Sequence, residues 1–499
     1  MGESRHTQLN RKWILIALMA AMTLAAMDST IVATAIPQIV GDLGGFALFS
    51  WLFSIYLLIQ TITIPIYGKL ADIYGRKPIL IFGIAVFLLG STACGGAWNM
   101  LSLIVFRGVQ ALGAGAIMAT INTIAGDIYS IEERAKIQGW LSSVWGASAI
   151  LGPAVGGAFA DYASWRWIFF INIPFGLAAI YIIHRFFDEI KPERSHAIDW
   201  KGAVAMLVTG VVIMFGIMQG GRSWPWYSVH TAVWAVLGFL LVYLTIRIEK
   251  KSEEPILPGW VWKKRVILGA NLGTIGMGMI MMAPNMYLPV FAQSVTGVSA
   301  MAAGFILASM SMTWPITSSL SGRLYLRIGF RNTALCGILL VILGSAAFFP
   351  MEFPGSVPWL VGVQLLLGAG FGLISTPLLV GVQSTVTWKQ RGVVTGTSMF
   401  SRYFGQSVGA AVFAAVFNAT ILGRLKEAPA QLKSALPEVN DLADAALSGE
   451  GGAEVSRFLR TLFFEATHNV YIGMTIIGLI TLVILLRTPA VFPQPEGED

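Results

Sequence analysis

Long apolar runs recur along the whole chain, separated by short polar breaks. They lie near 13–35, 48–68, 79–97, 100–122, 138–160, 166–184, 202–218, 230–248, 266–291, 301–320, 332–350, 357–379, 393–417 and 469–487. A helix of roughly 20 apolar residues crosses the ~30 Å hydrocarbon layer of a bilayer. In lipid each segment must satisfy its own backbone N–H and C=O groups, so each run is predicted to be a helix. The pattern predicts an all-α membrane protein of fourteen transmembrane helices. The stretch 418–468 is the one long break and reads as an external loop, a surface lid. Short amphipathic helices are expected over Leu425 to Leu447, with a break at Gly449 to Gly452.

Charge tests this count. With the N-terminus in the cytoplasm, 24 Lys and Arg fall in inside segments, seven outside, and two, Arg107 and Arg402, within spans. That is the asymmetry of the positive-inside rule. An even number of spans returns the C-terminus to the cytoplasm, so the expectation is a multi-pass protein of the cell (inner) membrane with both termini cytoplasmic. Composition agrees: 56% of the 499 residues are hydrophobic and 12% charged, against about 25% charged in an ordinary soluble domain. The net charge of +7 follows from the inside loops. Membrane lipid is the expected partner and nucleic acid is not. Arg5, Arg11 and Lys12 before an apolar stretch imitate a signal peptide. Asp28 interrupts that stretch, and an uncleaved first span is the better reading. Cys94 and Cys336 lie in apolar runs and read as buried free thiols.

The chain also repeats itself. Gly68-Lys-Leu-Ala-Asp-Ile-Tyr-Gly75 returns as Gly322-Arg-Leu-Tyr-Leu-Arg-Ile-Gly329, and Gly108-Val109-Gln110 as Gly362-Val363-Gln364, both at an offset of 254. Arg134 to Gly139 matches Arg391 to Gly396 at 257. Duplicated halves with a site at their interface are the usual plan of secondary carriers. The division predicted is a six-helix half at 1–190, two inserted linker helices at 191–262, and a second six-helix half at 263–499. On these residues the chain resembles the major facilitator superfamily, in its fourteen-span drug:proton antiporter branch.

Within the predicted spans Asp28 is the one carboxylate deep in hydrocarbon, where ionisable groups are functional by default. It lies about 22 Å along span 1, and Arg107 about 10 Å into the oppositely running span 4, so both fall at a similar depth. A carboxyl group in a dry slot that a guanidinium approaches and leaves is a means of binding and releasing a proton. The alternative is a static pair that only fixes packing. The segment Phe106 to Gly113 resembles the family's span 4 motif, which implies proton coupling by Asp28 and Arg107. Gly68, Asp72, Gly75 and Arg76, with Asp127 at the end of span 4, resemble the loop signature that implies a cytoplasmic gate. The second copy has Leu326 in place of Asp72 and Phe330 in place of Arg76, so no symmetric gate is expected. Gly152, Pro153, Gly156 and Gly157 resemble the antiporter motif, expected as a kinked, close-packed seam between the halves. The second-half stretch Gly409 to Phe413 lacks it, which in the family marks exporters.

Span 9 carries Met277, Met279, Met281, Met282 and Met286 beside Asn285. Met suits adaptable apolar sites, so Met282, Asn285 and Met286, with Trp314, Tyr56 and Gln60, are candidates for a substrate cavity; packing or lipid contact is the even-handed alternative. No G-x-x-x-x-G-K-[ST] string is present, so no nucleotide site of that kind is expected. No metal ligand set, catalytic residue or cofactor is expected; the proton is the coupling ion. The resemblance implies proton-coupled efflux of lipophilic or cationic small molecules by a monomer that is not an enzyme. Export of one endogenous compound (lipid, peptide or siderophore) and a non-transporting sensor or scaffold are the alternatives.

Overall fold

The computed structural model describes residues 2–43, 51–189, 200–219, 224–225, 227–252, 255, 258–429, 432 and 452–492. Their regular structure is helical: α1 (Gly2–Thr34), α2 (Ile36–Leu43), α3 (Trp51–Tyr74), α4 (Arg76–Gly95), α5 (Met100–Ile128), α6 (Ile131–Tyr162), α7 (Trp167–Phe170), α8 (Asn172–Phe186), α9 (Trp200–Gln219), α10 (Val229–Glu249), α11 (Gly259–Lys263), α12 (Arg265–Ser294), α13 (Ala300–Ile328), α14 (Phe330–Ala346), α15 (Val357–Ser384), a 3₁₀ turn at Trp388–Gln390, α16 (Arg391–Glu427) and α17 (Gly452–Arg487). Every predicted span falls on a helix. Among the described residues, ten helical stretches are long and apolar enough to cross a membrane by themselves; Lys201–Ile213 and Phe330–Ala346 are apolar but shorter.

Buried apolar side chains gather into two large clusters. One draws on residues 14 to 187, joined by Leu379, Met399 and Tyr403. The other draws on residues 261 to 485. The sequence repeat is also a structural one. Gly75 and Gly329 both sit at φ values near +90° between two helices, the left-handed region that glycine enters without strain. Their N–H groups donate to Ala71 O and Tyr325 O at 3.0 and 2.9 Å, again 254 residues apart. Gly83 meets Ala116, and Gly337 meets Gly370, at the same offset. Small residues at these crossings let the helix backbones approach closely.

Two turns set up the site. Ser130 and Glu133 form a reciprocal capping box that starts α6, which fixes the Gly126–Asp127 corner just before it. Glu189, following α8, accepts the N–H groups of Arg76 and Lys77 at 2.6 and 2.8 Å. It thereby caps α4, which Gly75 cannot cap with a side chain. Helix α9 lies against α3 and α16, with Leu207 and Val211 packed on Leu58, Ile62 and Phe404. Helix α10 packs on α9, and only Gly238 and Glu249 are buried along it.

Three expectations change. Residues 418–427 and 452–468 are not loop: they extend α16 and α17 beyond the predicted spans. The extensions hold each other through Arg424 and Glu465, at 2.5 and 2.8 Å. Val455, Leu459, Leu462 and Phe463 are buried beneath them. Most of the stretch Leu425 to Leu447, and of the break expected at Gly449 to Gly452, falls at 430–431 and 433–451, outside the described residues. Cys94 is buried but Cys336 is exposed, on a helix face that an apolar run alone does not distinguish. The antiporter-motif glycine does not face the other half, as described next.

Candidate functional site

Asp28 on α1 and Arg107 on α5 form an ion pair through Oδ2 and Nη1, with both side chains at most 1% exposed. Gln110, one turn along α5, completes it. Its Nε2 donates to Asp28 Oδ1 at 2.8 Å, and its Oε1 accepts from Arg107 Nη1 at 2.8 Å. Arg107 Nε donates to Leu52 O at 3.3 Å, and its guanidinium lies 4.3 Å from the Tyr56 ring centroid. The depth arithmetic brought the two charges together; Gln110 stood in a repeated triplet and in the Phe106 to Gly113 segment, without a role of its own. Its repeat partner Gln364 donates instead to Tyr471 OH at 3.2 Å, and no charge pair stands there among the described residues. Arg107 Nη2 is buried without a hydrogen-bond partner, but the paired charges are tolerable together, whereas either member alone is not.

At the predicted cytoplasmic end, Arg76 gathers the residues expected to form a gate. Its Nη2 is 2.7 Å from Asp72 Oδ1 and its Nε 3.0 Å from Asp127 Oδ2. Nη2 also donates to Trp388 O at 2.7 Å, and the guanidinium lies 3.9 Å from the Trp388 ring centroid. Asp72 accepts the N–H groups of Gly392 and Val393 at 3.0 and 2.9 Å. These are orphan donors in the first turn of α16, where a carboxylate is favoured by the helix dipole. Arg391 closes the ring on Asp127 at 3.0 Å. Gly68 and Gly392 let α3 and α16 touch: a Cβ on Gly68 would stand 2.5 Å from Gly392 O. Sequence reading found Gly68, Asp72, Gly75, Arg76 and Asp127. It missed Arg391, Trp388 and Glu189, of which only Arg391 had a signal, in the repeated segment.

The antiporter motif binds a different neighbour from the one expected. A Cβ on Gly152 would overlap Thr30 Oγ1 and reach 3.4 Å from Ile31 N. Thr30 Oγ1 also donates to Ser148 O at 3.0 Å. Gly152 therefore clamps α6 onto α1, in the same half, beside Asp28. The contact of α6 with the second half is made lower down. There a Cβ on Gly139 would lie 2.9 Å from Pro315 O, and one on Gly146 3.1 Å from Ser311 O. Gly156 is buried in α6; the side chains of Pro153 and Gly157 lie outside the described residues.

Between the halves lies a cavity of about 40 Å³ lined by polar and apolar side chains from α5, α6, α12, α13, α15 and α16. Such a volume holds a few waters, not a drug-sized molecule, which needs about 300 Å³ or more. Of the cavity candidates, Trp314 lines it, as does Met277 of the span 9 Met cluster; Arg402, given no place in the site by sequence, lines it too. Tyr56 and Gln60 are buried on α3, beside the Arg107 pair and Gly115 respectively. Asn285 and Met286 are exposed, and Met282 half-buried, on the face of α12 away from Met277, Ile280 and Ala283; none of the three lines this cavity.

A family model described as Major Facilitator Superfamily matches residues 18–410. The chain is 34% identical over 438 residues to Multidrug resistance protein 3 of Bacillus subtilis (strain 168), covering 87% of this chain and 85% of that one. It is 31% identical over 522 aligned positions to Multidrug transporter protein MdtP of the same organism, covering 99% and 96%. Among solved structures, the human organic anion transporter MFSD10 (TETRAN) superposes with a TM-score of 0.63 at 14% identity, covering 95% of this chain and 99% of that one. The chain is a multi-pass membrane protein that belongs to the major facilitator superfamily.

Proposed function

We propose that the chain exports lipophilic small molecules by proton-coupled alternating access, its fourteen helices arranged as two six-helix halves flanking α9 and α10. The Asp28–Arg107–Gln110 constellation carries this reading. A carboxyl group is buried at membrane depth, and its counter-charge comes from another helix. Protonation of Asp28 from the outer side releases Arg107, and the loss of that tie frees α1 and α5 to shift. The Asp72, Arg76, Asp127 and Arg391 ring is the lock of the cytoplasmic side, holding the halves together there. The termini lie in the cytoplasm and the protein sits in the cell (inner) membrane, as the Lys and Arg distribution supports. The names of its Bacillus relatives support drug export. Lipophilic cations, expected from the sequence, remain part of this reading.

The test is flux in proteoliposomes under an imposed pH gradient with a panel of lipophilic compounds. Wild type accumulates substrate against its gradient while ΔpH lasts. Asp28→Asn retains binding but loses ΔpH-driven accumulation. Normal accumulation by Asp28→Asn would remove the coupling assignment, and flux that follows ATP and ignores ΔpH would remove the secondary-transport reading.

A further inference from the structure

Arg402 is the second guanidinium set inside a predicted span, and unlike Arg107 it is left without a counter-charge. It lines the cavity between the halves together with Asn122, Gln138, Thr274, Trp314 and Ser398. Among the described residues no carboxylate is within ion-pair distance of it, and its Nε, although buried, has no hydrogen-bond partner. Its nearest aromatic contact is the Tyr403 ring, 5.2 Å from the guanidinium. Trp314 Nε1, on the same cavity, is likewise buried without a partner. Arginine and tryptophan side chains only donate hydrogen bonds, so the cavity presents donors that the protein itself leaves unmet.

The contrast with Arg107 is instructive. Buried Arg107 receives a carboxylate, an amide oxygen, a carbonyl and an aromatic face, although its Nη2 is left without a partner. Arg402 receives the aromatic face alone. An intramembrane charge without a partner is costly and marks function. The carboxylate at similar depth, Asp28, is committed to Arg107 and Gln110. Arg402 lies 11 residues from the start of α16 and Trp314 14 residues from the end of α13, about 16 and 21 Å from the predicted cytoplasmic ends. Both are near the bilayer midplane, where carriers built from repeats hold their substrates. Met277, Leu379 and Met399 supply an apolar wall suited to an adaptable aromatic or aliphatic body.

We propose that the cavity between the halves, once opened, takes amphipathic anions, the substrate's carboxylate or equivalent acid pairing with Arg402 and accepting from Trp314 Nε1. This rests on the export reading for its physiological meaning and names the substrate class of that site. The anion brings the counter-charge that the fold withholds, and a charge-assisted pair in a site shielded from water is strong.

The test is equilibrium binding to the full chain in lipid nanodiscs. The ligands are aryl carboxylates from naphthalene-2-carboxylate to pyrene-1-butyrate, each beside its uncharged primary amide. Wild type is expected to prefer each acid over its amide by about tenfold or more, that is about 1.4 kcal/mol. Arg402→Gln should abolish the preference, and Arg402→Lys should recover part of it. Arg402→Met, which removes a half-buried charge without a counter-ion, should unfold at a higher temperature than wild type without ligand, which keeps misfolding from explaining the lost preference. Equal affinity for acid and amide in wild type, or no binding of either, overturns the proposal. So does an Arg402→Gln protein that keeps the preference, or one that keeps it while losing ΔpH-driven flux, because Arg402 would then serve coupling rather than substrate. Binding needs no pumping, so failure of the export reading leaves this result standing.

Discussion

At the scale of single residues, a buried ion pair is asymmetric: losing one member costs more than losing both. Asp28→Asn leaves the Arg107 guanidinium at membrane depth with an amide in place of its counter-charge, a change of about 3–5 kcal/mol for a buried pair. Thermal unfolding should therefore fall in Asp28→Asn and recover in Asp28→Asn/Arg107→Gln, while ΔpH-driven flux stays absent in both. A double variant no more stable than the single one would mean that the pair stores little energy. The pairing was legible because both residues are charges in apolar runs, and helix rise alone placed them at one depth. Gln110 was not singled out, since a neutral amide in a span has many uses and only its contact with Asp28 Oδ1 assigns one. Outside the membrane, Asp42 shows a simpler case. The Trp165 indole N–H donates to it at 2.9 Å, and Arg166 lies 3.1 Å away; together they hold its carboxyl below the ordinary value. A lowered folded value means stabilisation that is present above the ordinary carboxylate range and fades as pH falls through the depressed value. Unfolding temperatures of wild type and Asp42→Asn should differ at pH 6 and draw together only as pH falls below the ordinary carboxylate range. The gap at pH 6 should narrow in high salt, because the pair is exposed.

At the scale of helices, the glycine string from Gly152 to Gly157 packs, at Gly152, beside a different neighbour from the one its sequence suggested. Glycine strings report that some backbone approaches closely; they do not say which. Here Gly152 meets Thr30, two residues after Asp28, so this glycine sets the position of the helix that carries the proposed proton-binding group. Gly152→Ala should push α1 away and depress coupled flux, and trimming the obstacle in Gly152→Ala/Thr30→Ala should restore it. The two changes are then non-additive, as expected of residues in direct contact. If the second substitution worsens flux further, the clamp lies elsewhere on α6. Helix ends were the least legible elements for a related reason. Hydrophobic patterning marks where lipid begins and ends, whereas α16 and α17 continue past that boundary on their own side-chain contacts, such as Arg424 with Glu465.

At the scale of the whole molecule, the repeat has kept its geometry and changed its chemistry. The main-chain oxygens of Trp388 and Ile131, equivalent across the 257-residue repeat, each accept a hydrogen bond from the opposite half, one from Arg76 and one from Tyr325. Around Arg76 the contacts are ionic. Around Tyr325 they are aromatic: Phe330, where Arg76 would be, lies 4.7 Å from the Tyr325 ring and 5.4 Å from Phe492. Gly381, in the place of Asp127, leaves room for Phe492 and Phe330. The missing charges were readable from sequence; the aromatic replacement was not, because Phe492 is distant in the chain. The two seams should differ in strength. Breaking a buried charged network costs about 3–5 kcal/mol, and losing one neutral hydrogen bond about 1 kcal/mol. Spin labels at Tyr74→Cys and Arg327→Cys, in a Cys336→Ser background that spares buried Cys94, report separation of the halves at the gate end by pulsed electron resonance. Arg76→Gln should add a long-distance population dominant over the short one. Tyr325→Phe should raise that population only about fivefold from its wild-type level. Equal opening by the two variants would show that the halves are locked symmetrically, and that the charges around Arg76 add nothing to a seam made by shape alone.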